Sequence, residues 1–229
     1  MTIVYSDFFS ETEFHETLFS GDSLFDALKK LPRYLLDING VHNSIQGRVA
    51  DSAKLSGNGI VIEEGAYVDH GAVVQGPCII SRKSVVGHGA LVRSNTIIGA
   101  ECVVGHCSEI KDSVMFPRSS AGHFNFIGDS IIGSYVNIGG GTIISNFEFS
   151  AKKGLPHNIG IKINGVKVDT GLSKIGAIIG DNVKTGSNSV LSPGTLLAKD
   201  SVVYPGVCVR KGFLPANTII KPDFYSAGA

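Results

Sequence analysis

His123 lies in Ser119-Ser-Ala-Gly-His-Phe-Asn-Phe-Ile-Gly-Asp129, a stretch where a turn can aim a side chain across a groove. Histidine exchanges a proton near neutral pH, so a candidate general base is present; the alternative is a structural loop residue. Arg93 and Lys111 stand eighteen residues apart. If that interval stacks them about 5 Å apart, two unit charges repel by roughly 3 kcal/mol at an effective dielectric near 20, and an anion such as phosphate would relieve it. The alternative is two long side chains splayed into water at little cost. His70, His88 and His106 repeat at the same interval. A metal would need convergent imidazoles and a supporting shell, and no third ligand type has suitable spacing. An exposed corner stack and no metal are expected.

The interval comes from a six-residue clock. From Ile62, steps of six reach Val68, Val74, Ile80, Val86, Val92, Ile98, Val104 and Ile110. Four places after each come small or modest residues, from Ala66 to Val114. The register resumes at Phe126, Ile132, Ile138 and Ile144, and again at Ile179, Thr185, Leu191, Leu197, Val203 and Val209, with Thr185 the one polar member. Period six matches neither a helix nor simple alternation, but suits a short strand and turn wound into a parallel β-helix. Three hexads make one coil, so residues eighteen apart lie above one another. About six coils at ~4.8 Å predict a column roughly 30 Å tall. Glycines such as Gly65, Gly71, Gly87, Gly89 and Gly99 suit its corners. Flat faces and ends call for covering by other copies or caps.

Two segments leave the clock. Residues 1–56 form an appendage in which Ser23 to Asp37 has helical apolar spacing interrupted by Pro32, predicting a short helix or a kinked pair. Residues 147–177 carry Ile161-Lys-Ile-Asn-Gly-Val-Lys-Val168, alternating strands about an Asn-Gly turn. This predicts a hairpin projecting from the prism. Its lysines (Lys152, Lys153, Lys162 and Lys167) either reach cofactor phosphates or solubilise a loop. The column is assigned to 57–220 and a tail to 221–229.

With 20 basic and 20 acidic residues in 229, the chain lacks a global field for nucleic acid or anionic membrane. No apolar run approaches a membrane span and no signal peptide is read at the start. Four cysteines without C-x-x-C spacing fit reduced thiols in the cytoplasm.

Arg93 to Asn146 resembles the C-terminal acetyltransferase domain of bifunctional N-acetylglucosamine-1-phosphate uridyltransferase/glucosamine-1-phosphate acetyltransferases. The resemblance is carried by Glu109-Ile-Lys111, Ala121-Gly-His123, Ile127-Gly-Asp129, Val136-Asn-Ile-Gly-Gly-Gly-Thr142 and Asn146. Val168 to Asp181 is similar to the β-helical tails of sugar-1-phosphate nucleotidyltransferases. The resemblance implies an all-β, left-handed parallel β-helix of hexapeptide repeats and a homotrimer with sites between columns. It further implies acetyl-CoA as acyl donor, His123 as general base and Glu109 orienting its imidazole. Arg93, Lys111 and Lys174 correspond to sugar-phosphate ligands, Asn137 and Asn146 to amino-sugar ligands, and Gly140 and Ser187 to acetyl-CoA contacts, with an amide near Gly140 for the oxyanion.

The chain departs from that pattern at Phe126, where a phosphate-binding tyrosine is expected, at Gly140 in place of alanine, and at Pro205 in place of a small cofactor contact. The insertion also separates Lys174 from Asn146. The expected function is an acetyl-CoA-dependent acetyltransferase in nucleotide-sugar metabolism, acting on an amino-sugar phosphate or a nucleotide-linked amino sugar. The competing expectation is a non-enzymatic module that assembles or regulates a sugar-1-phosphate nucleotidyltransferase. Residues 1–56 offer neither the length nor the glycine-rich phosphate loop for nucleotidyl transfer itself.

Overall fold

The computed structural model describes residues 4–10, 16–21, 23–149 and 157–222. Lys152, Lys153 and most of the 221–229 tail lie outside the described residues. The strands form a left-handed parallel β-helix. Sheet A has nine strands, from Ser44–Ile45 to Gly212–Leu214; sheet B has nine, from Arg48–Val49 to Ile219–Ile220; sheet C has eight, from Lys54–Ser56 to Cys208–Val209. Nine coils at ~4.8 Å stand about 43 Å tall, rather than the six and 30 Å expected. The extra height begins inside the segment assigned to the appendage, where Ser44 pairs with Val61 and Lys54 with Val73.

The clock sets the interior. Ile62, Ile80 and Ile98 line sheet A, Val68, Val86 and Val104 sheet B, and Val74, Val92 and Ile110 sheet C, all fully buried in one prism. After Ile98 the coil shortens to seventeen residues, with Ile98 paired to Met115. Met115 therefore fills the prism and Val114, expected inside, faces outward into a second core. The same slip puts Ile127 inside and turns Phe126 outward, against its expected inward register. Thr185 keeps its inward place because its hydroxyl accepts from the Gly139 amide at 3.0 Å and lies 3.3 Å from that of Thr142. Corner glycines serve two purposes. Gly65 has φ +77°, which side chains resist, whereas a Cβ on Gly99 would lie 2.7 Å from the Met115 carbonyl of the next coil.

The second core covers sheet A. Helices α1 (Glu16–Phe19) and α2 (Leu24–Asn39) pack there, and α2 runs unbroken through Pro32. Burial of Leu24, Phe25, Ala27, Leu28, Leu31 and Leu35 outweighs the roughly 3 kcal/mol that an interior proline costs. Their partners include Ile79, Ile97, Val114, Ile131, Ile178 and Leu196 on the outward side of sheet A. The hairpin, Gly160–Ile163 paired antiparallel with Val166–Asp169, folds back instead of projecting. Ile159, Ile161 and Ile163 join the same core, because alternation gives the hairpin one apolar side and sheet A offers the matching surface. Sheets B and C, and the corner between them, remain uncovered by these elements.

Candidate active site

The corner between sheets B and C carries one row of residues. Cys107 N–H donates to the His88 carbonyl, Phe124 N–H to His106, Gly141 N–H to His123, Asn188 N–H to Gly140, and Gly206 N–H to Ser187. His88, His106, His123, Gly140 and Ser187 therefore lie above one another. The His88 and His106 rings stack 5.5 Å apart at 15°, the exposed stack expected from spacing. His123 extends this ladder, paired with His106 across a seventeen-residue coil. The one-residue slip hides this from the eighteen-residue interval, which links only His70, His88 and His106.

His123 is exposed at the corner, and its backbone N–H donates to Asn125 Oδ1 at 3.2 Å. One coil on, the Gly140 N–H makes no hydrogen bond among the described residues. A Cβ at Gly140 would sit 3.7 Å from His123 Cβ, ordinary contact, so the alanine of the family pattern fits here. Asn137 is exposed on the adjoining strand of sheet B, between Ser120 and Lys184. Pro205 occupies the corner just before Gly206, and its backbone nitrogen would crowd a Cβ on Gly186 at 2.3 Å.

The far margin of sheet C gathers Arg93, Lys111, Asn146 and Lys174. Each cation of the first pair has a carboxylate. Arg93 binds Glu109 at 2.9 Å, and Lys111 binds Asp112 at 2.5 Å and Asp129 at 3.0 Å. Burial alone would lower the Lys111 pKa, but Asp112 and Asp129 outweigh it and hold the ammonium above its ordinary value. Asn146 Nδ2 donates to Asp129 Oδ2 at 2.5 Å. Gly128 makes room for this bond, since a Cβ there would lie 2.8 Å from that nitrogen. The insertion returns where it left: the Ile175 amide donates to the Asn146 carbonyl at 3.2 Å, so Lys174 is delivered beside Asn146. Lys174 is exposed and makes no ion pair among the described residues.

Glu109 pairs in register with Phe126, on the flat of sheet C, and makes no hydrogen bond to His123. The orienting contact expected of it is absent from this arrangement. Sequence reasoning also missed Asp112 and the role of Asp129, because in the shortened coil Lys111 pairs with Gly128 and Asp129 is the residue after that partner. A cavity of about 640 Å³ opens on the outer side of sheet C, walled by Phe126, Ile143, Phe147, Phe149, Val190 and Pro193 and edged by Asn146, Arg210 and Lys211. All four cysteines are free, and no group of three metal-ligating side chains that could hold a metal ion occurs among the described residues. No described helix is long and apolar enough to cross a membrane.

Residues 74–172 match the family model described as the GMPPB C-terminal domain. A bifunctional sugar-1-phosphate nucleotidylyltransferase/acetyltransferase of Sulfurisphaera tokodaii is 33% identical over 179 residues, covering 78% of this chain and 43% of that protein. A bifunctional protein GlmU of Methanococcus maripaludis is 39% identical over 186 residues, covering 81% of this chain and 44% of that one. The homologues are GlmU-type bifunctional nucleotidyltransferase/acetyltransferase proteins. The chain spans less than half the length of these two GlmU-type relatives. Among solved structures, UDP-N-acetylglucosamine acyltransferase from Campylobacter jejuni is 13% identical with a TM-score of 0.33, covering 67% of this chain and 66% of that one. At that TM-score the likeness adds nothing to the functional argument, which rests on the GlmU-type sequences and on the geometry of the corner.

Proposed function

We propose that the chain is an acetyl-CoA-dependent acetyltransferase acting on an amino-sugar phosphate or a nucleotide-linked amino sugar, with His123 as general base. The observation that carries the reading is the corner row, where His123, Gly140 and Ser187 align between the two sheet faces left open by the helices and hairpin. The names of the GlmU-type relatives support the same class of reaction. The acceptor amine attacks the thioester carbon, His123 takes the amine proton, and the thiolate of coenzyme A leaves as the tetrahedral oxyanion collapses. The unbonded Gly140 N–H is the donor available to that oxyanion. Ser187 continues the row along which the cofactor is proposed to lie, and Asn137 and Asn146 flank it as acceptor contacts. Glu109 orients His123 in this scheme by exchanging Arg93 for the imidazole.

A homotrimer is part of the proposal. Sheet A is already covered, so neighbouring columns meet through sheets B and C, closing a site around each His123 corner. A cytoplasmic setting is proposed with it, consistent with four free thiols. The test is thiol release from acetyl-CoA, corrected for hydrolysis, against amino-sugar phosphates and nucleotide-linked amino sugars. Transfer that disappears in His123→Ala supports the reading. Unchanged turnover in that variant removes His123 from the chemistry.

A second reading is favoured by the committed polar groups of Arg93, Lys111 and Asn146, the first two in ion pairs and the third in a hydrogen bond to Asp129. In that reading the column is a non-enzymatic module partnering a sugar-1-phosphate nucleotidyltransferase. Absence of both thiol release and acetyl-CoA binding would favour it, and co-purification with a sugar-1-phosphate nucleotidyltransferase would then test it.

A further inference from the structure

The two acceptor classes proposed above place their phosphates differently, and the cavity on sheet C discriminates between them. A sugar 1-phosphate needs a surplus of positive charge beside Asn146, where Lys174 alone stands without an ion pair among the described residues. Arg93 and Lys111 face Glu109, Asp112 and Asp129, and with Lys174 the cluster holds three cations against three carboxylates. A phosphate entering there meets no net positive charge, and reaching Lys111 means displacing a carboxylate from an ammonium that is almost fully buried.

The same cavity has a different character further along the column. Phe147 is half exposed and Phe149 fully exposed, two rings held outside either core at the root of the insertion. Arg210 stands at the rim, and its guanidinium has no carboxylate partner among the described residues. Lys211 beside it is paired with Glu148, which also binds His157 Nε2 at 2.8 Å and so anchors this rim to the insertion. Aromatic platforms next to a free guanidinium are what a base followed by a diphosphate requires. The volume of about 640 Å³ lies within the 300–1,000 Å³ of small-molecule sites.

We infer that this cavity binds a nucleoside diphosphate, with the base on Phe147 and Phe149, the diphosphate on Arg210, and the attached amino sugar directed toward Asn146 and Phe126. Phe126 then suits the acceptor, because an apolar ring packs against a sugar face where a phosphate ligand is not needed. This rests on the acetyltransferase reading and selects the nucleotide-linked acceptor within it. Coenzyme A also carries a nucleotide with a diphosphate, so the test separates the two sources.

UDP, GDP, dTDP, glucosamine 1-phosphate and acetyl-CoA are titrated by calorimetry against the whole chain, Arg210→Gln and Phe149→Ala. Both substituted side chains are exposed, so neither variant disturbs a core. The expected result is that at least one nucleoside diphosphate binds more tightly than glucosamine 1-phosphate and binds alongside acetyl-CoA. Arg210→Gln should weaken it at least tenfold and Phe149→Ala roughly 5- to 150-fold. No nucleotide binding, tighter binding of glucosamine 1-phosphate, or binding untouched by both variants overturns the inference. Mutual exclusion of nucleotide and acetyl-CoA overturns its assignment to the acceptor. Failure of the acetyltransferase reading shows separately, as no thiol release with any acceptor whatever the nucleotide titration gives.

Discussion

The two margins of sheet C are built by one rule and end in opposite states. At the corner with sheet B, stacking sets His88, His106, His123, Gly140 and Ser187 in a row, exposing imidazole at His123 and leaving a backbone N–H unbonded at Gly140. At the other margin, stacking sets Arg93, Lys111 and Asn146 close together, yet their polar groups are taken by Glu109, Asp112 and Asp129. Alignment by the repeat is thus not enough to make a site. What matters is whether the neighbouring coil supplies a partner that silences the group or leaves it available. Proton transfer is proposed at the first margin; at the second the ion pairs behave as structure, and Asn146 meets an acceptor only by giving up its bond to Asp129.

The largest effect that separates them is on rate. His123→Ala is expected to lower acetyl transfer by roughly 10²–10⁴-fold while leaving the thermal midpoint near that of the parent chain, measured by thiol release and by melting. A loss of folding instead would make the corner structural too. Next is Asp129→Ala, which strips one carboxylate from buried Lys111 and the acceptor from Asn146. It should cost about 2 kcal/mol in denaturant unfolding, below the 3–5 of a fully broken buried pair because Asp112 remains. A change within 0.5 kcal/mol would show that the second margin is not held by its charges.

A pH series sharpens the same point. The Lys111 pKa is raised on folding from its ordinary 10.5, so the stability it contributes is complete below that pH and falls as pH rises through the higher folded value. Relative to Lys111→Met, the parent chain should therefore hold a constant stability difference across the neutral range and lose ground only above pH 10.5. A difference that varies near neutrality would point to another titrating group. The smallest expected effect is at the exposed Arg93–Glu109 pair, where Arg93→Gln should change stability by about 0.2–1 kcal/mol, less at high salt.

Much of the column is legible in the amino-acid sequence. Nine hexads name the interior from Ile62 to Ile110, and the eighteen-residue interval finds the histidine stack and the Arg93–Lys111 alignment. The interval fails after Ile98, for a local reason. Val114, Met115 and Phe116 are all apolar because sheet A is buried on both sides, so composition cannot tell which of them points into the prism. Phe126-Ile127 presents the same ambiguity, and a slip of one residue there exchanges inside for outside. At the candidate site, residue types and their approximate neighbourhood are readable, but partners are not. Nothing in the Arg93 to Lys111 spacing shows that Asp112 turns back onto its own neighbour.

The sequence by itself determined the winding of this protein, since a hexad of buried aliphatics admits a stacked coil and excludes helix or simple sheet. It also determined which residue types meet at each corner. Tertiary structure alone decided which faces stay open. The helices and the hairpin bury their apolar sides on sheet A because that sheet presents an apolar outer surface, a match between segments well separated along the chain. It also decided which charges remain free, because the carboxylate nearest a cation depends on the register of the adjacent coil, and that register shifts wherever the chain drops a residue.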